Sequence, residues 1–314
     1  MRVVFFGTPE FAGPSLRALL EVAQVLAVVT QPDRPRGRGR LLAPPPVARL
    51  ARERGIPVLQ PPRLKSEEVV AQLRSLRPDL IVTAAYGKII PKEILDLPPL
   101  GAVNVHPSLL PKYRGASPIS SAILHGETTT GVTIMYQSMD LDAGDIILQR
   151  TIPIAADDTA RTLEDKLAQL GAEALVEALG LIAEGRAPRI PQDHGRATYA
   201  GKLEKSHGRI DWSRPAGELV NVIRAMDPWP SAYTWHRGRL LKVWMAQALP
   251  GRGMPGTVIE IRPGTGFVVA TGAGALLVRE VQPEDRRRMS ADEYVRGTHL
   301  AAGEILGTPP PRAE

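Results

Sequence analysis

The chain contains no cysteine. Disulfides and thiolate metal sites are excluded, and the composition suits a reducing cytosol. Its six histidines show no ligand spacing with one another or with carboxylates, so no metal is implied. There is no internal repeat and no low-complexity tract. Residues 3–6 form the only apolar run before Gly7, too short for a signal peptide or a membrane span. A cytoplasmic location without a membrane partner is expected. The first apolar stretch is followed by Gly7 and Gly13 alone rather than by G-x-G-x-x-G, which disfavours a dinucleotide cofactor. Nothing in the pattern looks like a dimer helix, so a monomer is expected.

What is present suffices for two cores. With 314 residues and 43% hydrophobic side chains, the chain is comfortable as two domains. Residues 2–6 read as a buried strand. Thr8 and Pro9 read as the cap and first position of a helix whose apolar stripe is Phe11, Leu16, Leu19 and Leu20. Strands are expected at 25–30, 58–59, 79–83, 102–105, 132–137 and 146–152. Helices are expected at 47–54, after the cap Ser66, at 118–124, and from Thr159 or Thr162 to Glu184. Residues 84–91 read as a turn into a short helix. This alternation is α/β, a Rossmann-like and mostly parallel sheet domain over 1–185. The polar segment 186–205 lacks strong periodicity and reads as a linker. Beyond it come a helix near 216–226 and short runs at 232–236, 239–248, 256–261, 266–271 and 275–281, with turn signals between them. They predict a small OB-like β-barrel over 206–314. Trp212, Trp229 and Trp235 belong either to its core or against bases.

Charge is unevenly placed. The formal net of +6 permits an anionic partner without naming one. Residues 31–46 carry Arg34, Arg36, Arg38 and Arg40 among glycines and prolines. That composition predicts a surface loop rather than a packed element. A charge run is usually just solvated. Here the arginine forks suit phosphate oxygens, and the loop lies near the ligand edge of the sheet, which favours phosphate contact.

The chemistry concentrates in residues 101–115, GAVNVHPSLLPKYRG, and 140–145, DLDAGD. Side chains two apart on a strand share a face, so Asn104 and His106 look one way and Val103 and Val105 the other. Pro107 ends the pairing. An amide donor and an imidazole then stand together at the carboxyl end of a strand, where open α/β sheets bind ligands. Taken singly, Asn104 and His106 are ordinary strand-end residues and Asp142 is a turn residue. As a set they are a candidate site. Tyr86, Ile89 and Ile90 either wall an apolar slot for a flat heterocycle or belong to the core.

Asn104-x-His106-x-Ser108-Leu-Leu-Pro111, followed by Leu141-Asp142-Ala-Gly144, resembles the folate-dependent formyltransferases. Supporting stretches are FGTPEFA at 6–12, TQPDRPRGR at 30–38, Ile210-Asp-Trp-Ser213 and Pro228-Trp-Pro230. The resemblance runs over nearly the whole chain. The arginine-rich loop and the tryptophan motifs narrow it to members whose acceptor is the initiator methionyl-tRNA. It implies transfer of a formyl group from 10-formyltetrahydrofolate to the amine of that tRNA's methionine. It assigns catalysis to Asn104, His106 and Asp142. It lays Ser108, Leu109, Leu110 and Pro111 against the formyl-folate, with Tyr86, Ile89 and Ile90 as the slot. The inserted loop with Arg34, Arg36, Arg38 and Arg40 would grip the acceptor arm, Arg38 foremost.

The residue types fit such a transfer. An α-amino group has a pKa of roughly 7.7 to 8.0, so a substantial minority is neutral near pH 7 and no strong base is needed. Asn104 can donate to the forming oxyanion. His106, if protonated, adds a charged donor to the same oxygen. Asp142 would favour the imidazolium and hold a water for proton relay. Lys112 and Arg114 read as residues of a solvent-exposed loop, either simply solvated or meeting the substrate's negative charge. Three other readings keep parts of the set: transfer to a nucleotide-linked amino sugar, hydrolysis releasing formate, and a non-catalytic RNA-binding protein. The last needs the basic loop and the barrel but not the Asn-His-Asp set.

Overall fold

The structure, a computed structural model, describes residues 1–36 and 41–308. It divides into two compact units. The first comprises Met1–Pro118, Thr129–Pro153 and Glu164–Gly201, and the second Ile119–Thr128, Ile154–Leu163 and Lys202–Glu314. Among the described residues no helix is long and apolar enough to cross a membrane.

The first unit holds a seven-stranded sheet in the order Ile146–Pro153, Thr129–Tyr136, Ala102–His106, Leu80–Ala84, Arg2–Gly7, Gln24–Val29, Val58–Leu59. From Ala102–His106 to Val58–Leu59 the strands are parallel; the other two are antiparallel. A parallel sheet covered on both faces needs continuous apolar runs rather than alternation. Accordingly Val3, Val4, Phe5 and Phe6 are all fully buried, as are Leu80 and Val82. The helix Ala160–Ala183 lies against Val105 and Val132. A Cβ on its Gly171 would come within 2.8 Å of Val105 Cγ1, so glycine permits the close approach. With the Val105 face closed by a helix, the pleat turns Asn104 and His106 to the other face. Thr159 and Thr162 open this helix together. The Thr162 N–H donates to Thr159 Oγ1 at 3.3 Å, and the Thr159 N–H to Thr162 Oγ1 at 3.0 Å. Such a reciprocal pair satisfies two otherwise orphaned donors.

Several expectations give way. Thr8 caps nothing: the first helix is Ala12–Val22, entered through Phe11 without a side-chain cap, and Thr8 Oγ1 donates to the Tyr86 carbonyl at 3.0 Å. Residues 85–91 contain no helix; a four-residue helix, Lys92–Leu95, follows them. The segment 31–46 is not loop throughout, because Arg34–Arg36 pairs antiparallel with Leu41–Ala43 and a helix begins at Pro46. An isolated two-stranded ribbon needs few ladder bonds, so Pro35 is tolerated there. Residues 186–201, expected in a linker, count with the first unit. Ile190 bridges Ile146, and Tyr199–Ala200 pairs with Arg114–Gly115. Backbone ladders of this kind leave no apolar period to read.

In the second unit the five expected strands form an antiparallel sheet in the order Ala232–His236, Arg239–Leu249, Ala275–Pro283, Gly266–Ala270, Val258–Arg262. Met289–Ser290 adds a short pairing to Ala275–Pro283. Trp212 is a core residue whose Nε1 donates to Thr234 Oγ1 at 3.0 Å, whereas Trp229 is exposed.

Candidate active site

A cavity of about 570 Å³ in the first unit is lined by residues from Thr83 to Ile90, from Asn104 to Pro107 and from Gln137 to Asp142. Strand register builds its wall. Asn104 is the partner of Thr83 on one side and of Met135 on the other, so three adjacent strands set these side chains in one row. Thr83 Oγ1 lies 2.8 Å from Asn104 Oδ1. Thr83 Oγ1 also lies 3.1 Å from the Val103 carbonyl, and its single hydrogen serves one of the two acceptors at a time; with Oδ1 turned to Thr83, the Nδ2 hydrogens are what Asn104 presents.

His106 is 4% exposed. Its Nε2 lies 3.0 Å from the Tyr113 carbonyl, which only accepts, so Nε2 carries the hydrogen. Nδ1 faces Asp142 Oδ2 at 3.7 Å, beyond hydrogen-bond reach. Burial holds the imidazole below its ordinary pKa; Asp142 and the Tyr113 carbonyl oppose that and the Arg114 charge adds to it. Burial thus works against the protonated form in which His106 would be a charged donor, and favours an imidazole with its lone pair on Nδ1. That lone pair and the carboxylate face each other across a gap that a proton would bridge.

Asp142 sits at φ 48°, in the left-handed region. The Gly115 N–H donates to its Oδ2 at 2.8 Å. Two residues on, a Cβ at Gly144 would stand 1.8 Å from the Tyr136 carbonyl oxygen, so only glycine lets the loop press against that strand. The Asn104, His106 and Asp142 predicted from sequence thus meet at one cavity.

Tyr86 and Ile90 are buried with Phe6 in one core cluster and also line the cavity. Burial pushes the Tyr86 hydroxyl up to about 12. Ile89 lines the cavity too, yet is 85% exposed.

Ser108, Leu109, Leu110 and Pro111 are not among the lining residues. Ser108 Oγ donates to the Lys112 carbonyl at 2.6 Å, and Leu110 packs against Met135 and Ile146. Leu109 lies against Gly131, and the Pro111 carbonyl accepts the Thr198 N–H at 3.3 Å. Thr133 locks this turn by donating to the Ser108 carbonyl at 2.7 Å and accepting the Leu110 N–H at 3.1 Å. The chain turns away from the cavity after Pro107, so these four side chains stand beside the cavity rather than in its lining.

Arg114 is a correction. It is buried rather than solvated, and its guanidinium donates to Gln192 Oε1. Gln31 went unnoticed in the sequence. Its Nε2 donates to the Tyr86 carbonyl at 2.9 Å and its Oε1 accepts from Arg34 Nη2 at 2.6 Å. The root of the arginine hairpin is thereby tied to the cavity wall. Arg34 is exposed and Arg36 ends the first hairpin strand, while Arg38 and Arg40 lie outside the described residues.

Comparison with known proteins narrows what such a site serves. Residues 1–179 match the formyl transferase family, and residues 202–299 match the formyl transferase C-terminal domain. The chain belongs to the formyl transferase family. It is 50% identical over 311 residues to the methionyl-tRNA formyltransferase of Acetivibrio thermocellus, covering 98% of this chain and 100% of the relative. It is also 50% identical over 310 residues to that of Moorella thermoacetica, covering 98% and 99%. Among solved formyl transferases, an N-formyltransferase from Helicobacter canadensis in complex with folinic acid and dTDP-3-aminofucose superposes with a TM-score of 0.68 at 19% identity, covering 90% of this chain and 99% of that one. HypX from Aquifex aeolicus in complex with tetrahydrofolic acid gives 0.64 at 21%, covering 94% and 47%. At such identities the likeness is one of fold, a mostly parallel sheet domain followed by an antiparallel one.

Proposed function

We propose that this formyl transferase moves the formyl group of 10-formyltetrahydrofolate to the amino group of the initiator methionyl-tRNA. The observation that carries the reading is His106 Nδ1 facing Asp142 at 3.7 Å while Nε2 is committed to the Tyr113 carbonyl, with the Asn104 amide on the same cavity wall. Similarity at half of all positions over the full length of relatives named for the tRNA reaction supports the acceptor. The neutral amine attacks the formyl carbon. Asn104 Nδ2 donates to the oxygen as it gains charge. The ammonium proton passes to His106 Nδ1, where Asp142 stabilises the imidazolium that results. As the bond from carbon to the folate nitrogen breaks, that proton goes to the leaving nitrogen. The products are the formamide and tetrahydrofolate, and His106 is neutral again. Tyr86, Ile89 and Ile90 form the apolar side of the folate slot, and the arginine hairpin is the tRNA contact.

The test offers labelled formyl-folate with methionyl-tRNA and with a nucleotide-linked amino sugar, side by side. Label is expected on the tRNA. Label on the sugar, or free formate alone, would remove this reading. A second prediction concerns the hairpin. Affinity for the tRNA is expected to fall linearly on logarithmic axes as salt rises, because phosphate contacts release counterions. Arg34→Ala should weaken tRNA binding, lessen that slope by about 1, and leave folate binding unchanged. A titration showing the same slope in both proteins would exclude Arg34 from the contact.

A further inference from the structure

The geometry points to Gln192 as a positioning residue: its side-chain amide holds the backbone of the Asp142 loop so that the carboxylate stands against His106. This rests on the formyl-transfer reading of the site. Gln192 is 5% exposed and is not part of the cavity lining. Its Nε2 donates to the Asp142 carbonyl at 2.9 Å and to the Gly144 carbonyl at 2.8 Å. Its Oε1 accepts from Arg114 Nε at 3.2 Å and Arg114 Nη2 at 2.7 Å. The orientation cannot be reversed, since a guanidinium only donates and a carbonyl only accepts. Both amide hydrogens and both oxygen lone pairs are in use. A buried amide satisfied at every position is a rigid strut, and an unsatisfied one is costly.

The loop needs such a strut. Asp142 occupies the left-handed region, and Gly144 presses on the Tyr136 carbonyl. Consecutive residues grip this loop twice. Gly115 holds the Asp142 carboxylate directly, and Arg114 holds the loop backbone through Gln192. The dipeptide is itself paired with Tyr199–Ala200, and Arg114 Nη2 also lies 3.4 Å from His194 Nδ1. The strut thus joins the segment after residue 186 to the catalytic loop.

Gln192→Glu separates the two ends of the strut. The new carboxylate keeps its pairing with Arg114 but turns an oxygen, not a donor, toward the two carbonyls. Gln192→Met fills the same space and makes neither set of bonds. Both are expected to lower kcat for methionyl-tRNA on the order of 100-fold, as displacement of a catalytic group does, with KM for the folate nearly unchanged. The decisive readout is a double-mutant cycle with Asp142→Ala. In that background the change at residue 192 should cost under about twofold, because nothing is left to position. A full loss in the Asp142→Ala background, or normal kcat in the single variants, would overturn the inference. Should Gln192→Glu melt below the assay temperature, Gln192→Met carries the same cycle. Absence of formyl transfer by the unaltered protein would instead overturn the reading beneath it, and this inference with it.

Discussion

Replacement of His106 by alanine is expected to slow formyl transfer by about 10²- to 10⁴-fold, the range for a positioned acid–base group. Binding of methionyl-tRNA should be unchanged, because the side chain is buried and far in sequence from the arginine hairpin. The effect arises at Nδ1. Nε2 is engaged with the Tyr113 carbonyl, so Nδ1 is the one ring nitrogen that can take the amine proton. Burial depresses the pKa of this imidazole. The base form is therefore present at neutral pH and is lost only as pH falls through the depressed value. His106 should add an acid limb to the kcat profile below roughly 6.5, the ordinary histidine pKa, beneath the limb that the substrate amine sets at roughly 7.7 to 8.0. The lower limb should vanish in His106→Ala. A rate that instead fell as pH rose through the histidine range would mean that a charged imidazole does the work.

Asn104→Ala is expected to cost about 10²- to 10³-fold in kcat, as removal of one oxyanion donor does elsewhere. Substrate affinity should change little, since the bond strengthens only as the carbonyl oxygen gains charge. Asn104→Asp gives a sharper contrast. It preserves shape, but it replaces the donor with an anion beside a developing anion, so it should rescue nothing. Single-turnover measurement of label transfer reads both variants. Near-normal turnover in Asn104→Asp would show that the residue acts by packing alone. Thr83, which orients the Asn104 amide from the neighbouring strand, explains why the donor end is the one presented.

The Asn104 and His106 pair was legible because its signal is local. Asn104 and His106 are two apart on a strand, and alternation alone places them together. Asp142 needed more, since Leu-Asp-Ala-Gly is also ordinary turn chemistry, and only resemblance to a family joined it to the pair. Gln192 carried no signal. A glutamine in a polar stretch says nothing of the arginine 78 positions earlier that it meets. Arg114 misled for the same reason: a charged residue beside glycine reads as solvated until a buried partner is known. Ser108 to Pro111 continue the same motif yet do not line the cavity, because a stretch contiguous in sequence need not keep to one surface in space.

From the sequence by itself came the α/β class, the succession of strands, the run of five short strands in the second half, and the placing of Asn104 and His106 on one strand face. These follow from hydrophobic period, turn residues and motif spacing, all of which act over a few residues. Only the tertiary structure decided that His106 is buried with its Nδ1 facing Asp142, that burial depresses its pKa, and that Arg114 and Gln192 stand behind the loop. Protonation depends on how much water a side chain retains and which charges surround it, and hydrogen-bond partners depend on which distant segments are brought together. Both are settled by packing across the whole unit.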